Sequence, residues 1–224
     1  MNEQKLEINK AEVNLLPLWR YEETVVMLES PEDAQAAAAR LSAAAYIGID
    51  TETKPTFRKG ATPRPVALLQ LALPDVVYLL RLNHYGLFDS IRAVLESESV
   101  EKVGIGTRDD VRELQRDFGC SLRGVVDLNT LCTQLGYKSI GARKLTALIL
   151  GRRISKSQQT SDWEKPALTS AQIAYAATDA WVCQAMYAKL QTEEQRPRRK
   201  RRRRRRRSAR SSATPSGDSP SENP

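Results

Sequence analysis

Residues 46–53 read YIGIDTET, an apolar run that ends in two carboxylates separated by one residue. The run predicts a short buried strand, on which residues two apart point to the same face of the sheet. Asp50 and Glu52 then lie side by side, where they repel each other unless a cation lies between them or one is protonated. Hard divalent cations such as Mg²⁺ and Mn²⁺ take oxygen ligands. The stretch predicts half of a metal site, with a pair of solvated acids at a strand end as the alternative.

Strand and helix patterns alternate on both sides of this strand. Further strands are predicted at 24–28, 66–73, 76–82, 101–106 and 125–127. Helices are predicted at 34–45, 88–95, 109–118, 128–135, 144–150 and from 169 to about 190. A tight turn at Pro74 and Asp75 joins two strands into an antiparallel hairpin, whereas the later strand–helix alternation favours parallel pairing. The pattern predicts an α/β domain with a mixed central sheet flanked by helices.

A second acidic site follows the strand at 101–106, where residues 102–119 read KVGIGTRDDVRELQRDFG. The apolar positions of the predicted helix fall on one side of it; they are Val111, Leu114 and Phe118. Asp110 lies at the edge of this apolar stripe, whereas Asp109 points toward solvent. Asp110 is therefore the candidate for a buried site. The alternative is that both are ordinary acids in the first turn of a helix.

The third candidate is the pair Tyr175 and Asp179 in the predicted C-terminal helix, which reads TSAQIAYAATDAWVCQAMYAKL at 169–190. Residues four apart lie one above the other on a helix. The pair flanks the apolar stripe, and the residues around it are small, so the backbone can pack closely and leave room beside the tyrosine. A core tyrosine next to a surface acid is the alternative.

These elements in this order resemble the DEDD 3′–5′ exonucleases, in the subgroup with tyrosine in its third motif, and most of all RNase D and the exonuclease domain of Werner-type helicases. IGIDTET at 47–53 is similar to the first motif, and KVGIGTRDDVRELQRDFG to the second. ISKSQQTSDWEKPALTSAQIAYAATDAW at 154–181 resembles the third motif with its upstream loop. The related subgroup carries histidine in the third motif, and the only histidine, His84, lies far from it. The resemblance covers about residues 22–190.

The resemblance implies a ribonuclease-H-like fold and hydrolysis with two ions, Mg²⁺ or Mn²⁺, about 3.5–4 Å apart. It implies that Asp50 bridges both ions and that Glu52 and Asp179 complete the site of the ion that activates water. Asp110 then holds the second ion, partly through water, and Tyr175 orients the attacking water. These five residues are the predicted catalytic set, and the four carboxylates are the predicted metal ligands. The expected products are nucleoside 5′-monophosphates.

Substrate contacts are predicted at Thr51, Phe57, Lys156 and Trp163. Phe57 is a candidate for stacking on a terminal base, and Lys156 for guiding the strand. Trp163 is as consistent with packing as with substrate contact. Basic residues after the first motif, among them Lys54 and Arg64, are expected either to contact phosphate or to lie in a solvated loop.

The positive charge of the chain is concentrated at its C-terminal end. Residues 196–224 hold 12 of the 35 Lys and Arg and 2 of the 27 acidic residues, which leaves 23 basic and 25 acidic residues for 1–195. The sequence predicts an N-terminal lead-in at 1–21, docked through Leu15, Leu16, Leu18 and Trp19, and an exonuclease domain at 22–195. A disordered tail, first Arg-rich and then Ser/Pro-rich, is predicted at 196–224. Such a run binds polyanions without sequence preference; a targeting signal and an incidental low-complexity end are the alternatives.

The three cysteines, Cys120, Cys132 and Cys183, form no CxxC pair, so neither a disulfide partner nor a zinc site is expected. A reducing cytoplasm is expected, or the nucleus in a eukaryote. The N-terminal residues lack the apolar segment of a signal peptide, and the longest apolar runs are too short to span a bilayer, so no membrane partner is expected.

The predicted function is a 3′–5′ exonuclease that acts on single-stranded 3′ ends of DNA or RNA. The alternative is a catalytically silent nucleic-acid-binding adaptor on the same fold, which would have been free to lose a carboxylate. A third possibility is an endonuclease of the ribonuclease H type, against which the Tyr175–Asp179 spacing argues. The sequence does not decide between DNA and RNA.

Overall fold

The computed structural model describes residues 6–57, 60 and 62–211, with only the backbone described beyond residue 192. Its strands are β1 Thr24–Met27, β2 Tyr46–Thr53, β3 Val66–Ala72, β4 Val76–Arg81, β5 Glu101–Gly104 and β6 Val125–Asp127. They form one sheet in the order β1-β4-β3-β2-β5-β6. β3 is antiparallel to both of its neighbours, and the other pairings are parallel. The predicted mixed sheet is confirmed, and so is the β3–β4 hairpin.

The helices are α1 Lys10–Leu15, α2 Pro31–Ser42, α3 Leu82–Tyr85, α4 Asp89–Glu96, α5 Arg108–Phe118, α6 Leu128–Gln134, α7 Ala142–Leu150 and α8 Ser170–Ser211. The short helices α1 and α3 were not predicted. A signal for α1 was present, because Asn9 and Glu12 have capping-box spacing and form both bonds of that box. α3 has four residues and no side-chain cap, and it leaves no comparable signal.

The sheet is covered on both faces by apolar side chains. One face packs against α2, α4 and α5 through residues such as Ile49, Leu69 and Leu114. The other face packs against α8 through Leu68, Leu79 and the alanines of that helix. Alternate residues of β2 and β3 therefore enter different cores, which fixes the register of these strands. Asp50 and Glu52 follow Gly48 on the α8 face.

The N-terminal lead-in docks through only part of its predicted contacts. Leu16 packs against the small cluster of Ile8, Val13 and Ala147, and the Trp19 ring stacks on that of Trp181 with centroids 4.5 Å apart. Leu15 and Leu18 are 87% and 47% exposed, so their predicted docking is wrong. Leu15 points away because α1 buries only the side that carries Val13, and Leu18 lies beyond the end of that helix.

Helix α8 extends beyond its predicted end near Leu190, and its backbone is helical as far as Ser211. This differs from the disorder that the composition predicts for 196–211. Arginine is among the better helix formers, and extending an existing helix avoids the cost of nucleation. The rest of the predicted tail, 212–224, lies outside the described residues. The chain divides into one compact unit ending at Tyr187 and another beginning at Ala188.

Within the described part of the chain, every helix is too short or too polar to cross a membrane.

Candidate active site

The centre of the site is set by a close approach between β2 and α8 at Gly48. A Cβ atom on Gly48 would lie 2.1 Å from the carbonyl oxygen of Ala180. No other residue fits this contact without moving the backbone of α8. Small, fully buried side chains at Ala176, Ala177 and Ala180 line the facing side of the helix. The helix is thereby seated against the strand next to Asp50.

This packing of α8 against β2 brings three of the predicted carboxylates together. Asp50, Glu52 and Asp179 each offer a carboxylate oxygen, and these oxygens lie within 4.8 Å of one another. Asp50 and Glu52 come from alternate positions of β2, and Asp179 comes from the first third of α8. Oδ1 of Asp179 is buried and has no hydrogen-bond partner among the described residues. Oxygen ligands left without a partner in a partly buried pocket suit a divalent cation.

Asp110 is joined to this group through Thr51. The Thr51 hydroxyl on β2 donates to Oδ1 of Asp110 in the first turn of α5. Asp110 is not part of the group of three, but its charge raises the pKa of both Asp50 and Glu52. Asp109 is exposed and pairs with Arg112. The structure therefore separates the adjacent aspartates as the helical pattern predicts.

The start of α5 is also placed by a glycine. A Cβ on Gly104 would lie 2.5 Å from Cγ2 of Thr107 and 3.1 Å from the carbonyl oxygen of Ile49. The backbone N–H and the hydroxyl of Thr107 donate to Asp127 at the end of β6, at 2.9 and 3.3 Å. These contacts fix the turn that carries Asp110. The sequence interpretation missed the positional roles of both Gly48 and Gly104, because each depends on a contact with a distant segment.

The pKa values of all four carboxylates are raised in the fold. Burial raises the pKa of Glu52 to about 9, and the charges of Asp179 and Asp110 add to this. Burial also raises the pKa of Asp179 to about 7 and that of Asp110 to about 6. The pKa of Asp50 is raised as well, by burial and then by the neighbouring acids. Without a counter-charge the cluster therefore holds protons at neutral pH, and a divalent cation would displace them.

Tyr175 lies one helical turn before Asp179, and the interaction of its hydroxyl with that carboxylate opposes the burial that raises the pKa of Asp179. Its ring packs against that of Trp163, with centroids 6.1 Å apart. Burial and the nearby carboxylates raise the pKa of Tyr175, so the hydroxyl stays protonated and acts as a hydrogen-bond donor. Its place beside the carboxylate group suits a positioning role.

The loop before α8 supports the site from one side. Burial raises the pKa of Asp179, and the charge of Lys156 partly opposes that rise. This lysine therefore lies near the carboxylates. Trp163 is fully buried under Tyr175, which favours the packing role over substrate contact, the two alternatives that the sequence left open. Gln172 holds the loop by donating to the Asp162 carbonyl at 3.0 Å, and it also forms a capping box with Thr169.

Ion pairs join this loop to the segment after the first motif. Lys54 lies 2.8 Å from Asp162 and 3.6 Å from Glu164, and Arg64 lies 3.0 Å from Glu164. Both basic residues thus form ion pairs within the protein, with their side chains 31% and 49% exposed. Phe57, between them in sequence, is 85% exposed and remains a predicted stacking residue. The Thr51 hydroxyl is directed to Asp110, so that side chain orients a carboxylate in this structure.

Comparison with known proteins agrees with this geometry. A family model described as 3′–5′ exonuclease matches residues 25–195, more than half of the chain. The chain belongs to the 3′–5′ exonuclease family. A 3′–5′ exonuclease of Arabidopsis thaliana is 34% identical over 156 residues, which cover 67% of this chain and 54% of that protein. The bifunctional 3′–5′ exonuclease/ATP-dependent helicase WRN of Mus musculus is 32% identical over 158 residues, covering 67% and 11%.

This 3′–5′ exonuclease domain spans about half or less of the length of these two relatives. Among solved structures, RNase D of Escherichia coli superimposes with a TM-score of 0.69 at 24% identity, covering 76% of this chain and 45% of that one. This likeness confirms the ribonuclease-H-like α/β fold that the motifs imply. The carboxylate cluster is compatible with the divalent-metal dependence of the family.

Proposed function

We propose that this chain is a metal-dependent 3′–5′ exonuclease that removes nucleotides from single-stranded ends. The observation that carries the proposal is the grouping of Asp50, Glu52 and Asp179 within 4.8 Å beside Tyr175. Three carboxylates at this distance repel one another strongly, and the fold nevertheless holds them together through the Gly48 contact. The adaptor alternative has no comparable support, because it needs no such cluster.

The ions proposed are two Mg²⁺ or Mn²⁺, with Asp50, Glu52 and Asp179 holding them and Asp110 completing the second site. When bound, they stabilise the negative charge that develops on the phosphodiester. Tyr175 keeps its proton and directs its hydroxyl toward the attacking water. Attack at phosphorus breaks its bond to the 3′ oxygen of the preceding nucleotide, so the terminal unit leaves as a nucleoside 5′-monophosphate.

Digestion of 5′-labelled single-stranded DNA and RNA oligonucleotides tests this proposal. With Mg²⁺ or Mn²⁺ the chain is expected to give a ladder shortening from the 3′ end, and the faster polymer identifies the substrate. The ladder is expected to disappear in EDTA and with Asp179→Ala. A circular single strand, which has no 3′ end, is the control substrate and should remain intact. Binding without cleavage in every metal would favour the adaptor, and cut circles would favour an endonuclease.

We also propose that the Arg-rich segment tethers the enzyme to nucleic acid. Residues 196–224 carry a net charge of +10, whereas 1–195 carry −2. Counterion release makes such binding fall steeply as salt rises. A chain ending at Gln195 is expected to have a higher KM at low salt and an unchanged KM at high salt. Equal KM values at both salt concentrations would leave the segment as a targeting signal or an incidental end.

A further inference from the structure

A buried amide lies directly across from Asp50. Gln70 on β3 is opposite Asp50 on β2 in the antiparallel register and opposite Leu79 on its other side. It is fully buried. Its neighbours on the same face, Leu68 and Ala72, belong to the apolar core under α8. Gln70 is thus a polar residue in an otherwise apolar layer, beside the first metal-binding carboxylate.

Packing alone does not explain this glutamine. Neither Nε2 nor Oε1 of Gln70 has a hydrogen-bond partner among the described residues. A buried amide left without partners costs about 1–3 kcal/mol for each group. A leucine or methionine has nearly the same volume and avoids that cost, as Leu68 and Leu79 do in the same layer. The amide therefore destabilises the layer unless something else satisfies it.

The nearest polar position across the strand pair is Asp50. Directly opposite residues on antiparallel strands have Cβ atoms about 4.5–5.5 Å apart, within reach of a glutamine amide. Asp179, whose Oδ1 also lacks a partner, approaches from α8 over the same face of the sheet. Two sets of buried atoms without partners thus lie next to Asp50: the Gln70 amide across the strand pair and Oδ1 of Asp179 in the carboxylate group.

We infer that Gln70 is a positioning residue for the carboxylate site. Its amide N–H donates to the Asp50 carboxylate when the cluster holds divalent cations, and this bond fixes which carboxylate oxygens face them. Groups that hold metal ligands in place typically change metal affinity by about 10–100-fold when removed. The inference rests on the proposed metal-dependent function, and it adds to the site a residue that none of the three motifs contains.

Calorimetric titration with Mn²⁺, without nucleic acid, tests this role. The variants are Gln70→Met and Gln70→Leu, and the matched control is Leu79→Met. Leu79 is buried in the same apolar layer and lies opposite Gln70 on β4, on the side away from Asp50. Both Gln70 variants are expected to raise the Kd for Mn²⁺ by about 10-fold or more, and the control to leave it unchanged. In EDTA the Gln70 variants are expected to melt at the same temperature as the wild type or higher.

An unchanged Mn²⁺ Kd in both Gln70 variants would overturn the inference and leave the proposed function intact. A lower melting temperature in EDTA with an unchanged Kd would do the same, since it would show that the amide serves the fold. Failure of the wild type itself to bind Mn²⁺ would overturn the proposed metal site, and this inference with it. The wild-type titration therefore separates the two failures.

Discussion

Lys102 on β5 and Asp50 on β2 lie on neighbouring strands but point to opposite faces of the sheet. The Lys102 ammonium is buried against the end of α4, where it donates to the carbonyls of Val94, Ser97 and Val100. Its charge meets the negative end of a helix, and each contact is a hydrogen bond. Asp50 instead faces other acids, and burial and repulsion raise its pKa.

The difference between the two faces distinguishes a structural charge from a functional one. On the α4 side the buried charge is satisfied by the backbone, and it holds a helix end in place. On the α8 side, the buried polar atoms without a hydrogen-bond partner include those of the Gln70 amide and Oδ1 of Asp179. The Lys102 ammonium is hydrogen-bonded although burial lowers its pKa to about 8, whereas the carboxylates on the α8 side face one another without a counter-charge, as expected of a site that takes a cation. Substitutions on each face test whether the structural charge and the carboxylate site are separate.

The largest effect is expected on the structural side, from Lys102→Met. The variant removes the Lys102 donor from the Ser97 and Val100 carbonyls, while Val94 still accepts from the Ser97 N–H, so the free energy of unfolding should fall by about 3 kcal/mol. Denaturant unfolding in EDTA measures this. The rate of digestion per folded molecule should be unchanged, because Lys102 points away from the carboxylates. A stable variant with a reduced rate would show that the two faces are not separate.

Gly48→Ala should affect both stability and the site. Its Cβ would overlap the Ala180 carbonyl, so α8 must move away from β2. Overpacking of this kind costs about 1–3 kcal/mol, and the shift should also weaken Mn²⁺ binding. Ala37→Val is the matched control, because this buried alanine of α2 is overpacked in the core on the opposite face of the sheet. Unfolding curves and Mn²⁺ titration of the two variants provide the comparison; Mn²⁺ binding unchanged in Gly48→Ala would contradict the role of this contact.

A smaller effect is expected from pH on the metal-free protein. The pKa values of Glu52, Asp179 and Asp110 are raised to about 9, 7 and 6 in the fold, so the folded state holds protons that the unfolded chain has lost. This contribution to stability is complete at low pH and is lost as pH rises through those values. The melting temperature in EDTA should therefore fall between pH 6 and pH 9. Saturating Mn²⁺ should reduce the slope, and an unchanged slope would contradict the assignment.

Much of the fold followed from local sequence patterns. The six strands, the hairpin turn at Pro74 and the placement of Asp110 at the edge of its helix depend on periodicity over a few residues. The contacts that complete the site do not. The clash that requires Gly48, the bond from Thr51 to Asp110 and the Asp50–Gln70 register each join segments far apart in the chain. No local spacing encodes them.

The sequence left other choices open for the same reason. Trp163 was as consistent with packing as with substrate contact, and its burial under Tyr175 depends on how the loop folds over α8. Lys54 and Arg64 were expected either to contact phosphate or to lie in a solvated loop. They pair with Asp162 and Glu164, which lie about a hundred residues later in the chain. Residue types therefore predicted which side chains form the site better than they predicted the ion pairs, hydrogen bonds and packing that hold those side chains in place.

The most direct test of the central claim is the stability of Asp50→Asn relative to wild type, measured by denaturant unfolding in EDTA and in Mn²⁺. In EDTA the variant should be the more stable protein, because burial and the neighbouring acids make the wild-type Asp50 take up a proton on folding, a cost that asparagine does not have. In Mn²⁺ the order should reverse, since wild type gains about 2.7 kcal/mol when the metal is 100-fold above its Kd and the variant gains less. A variant that is less stable than wild type in EDTA and gains as much in Mn²⁺ would show that Asp50 serves the fold, as Lys102 does.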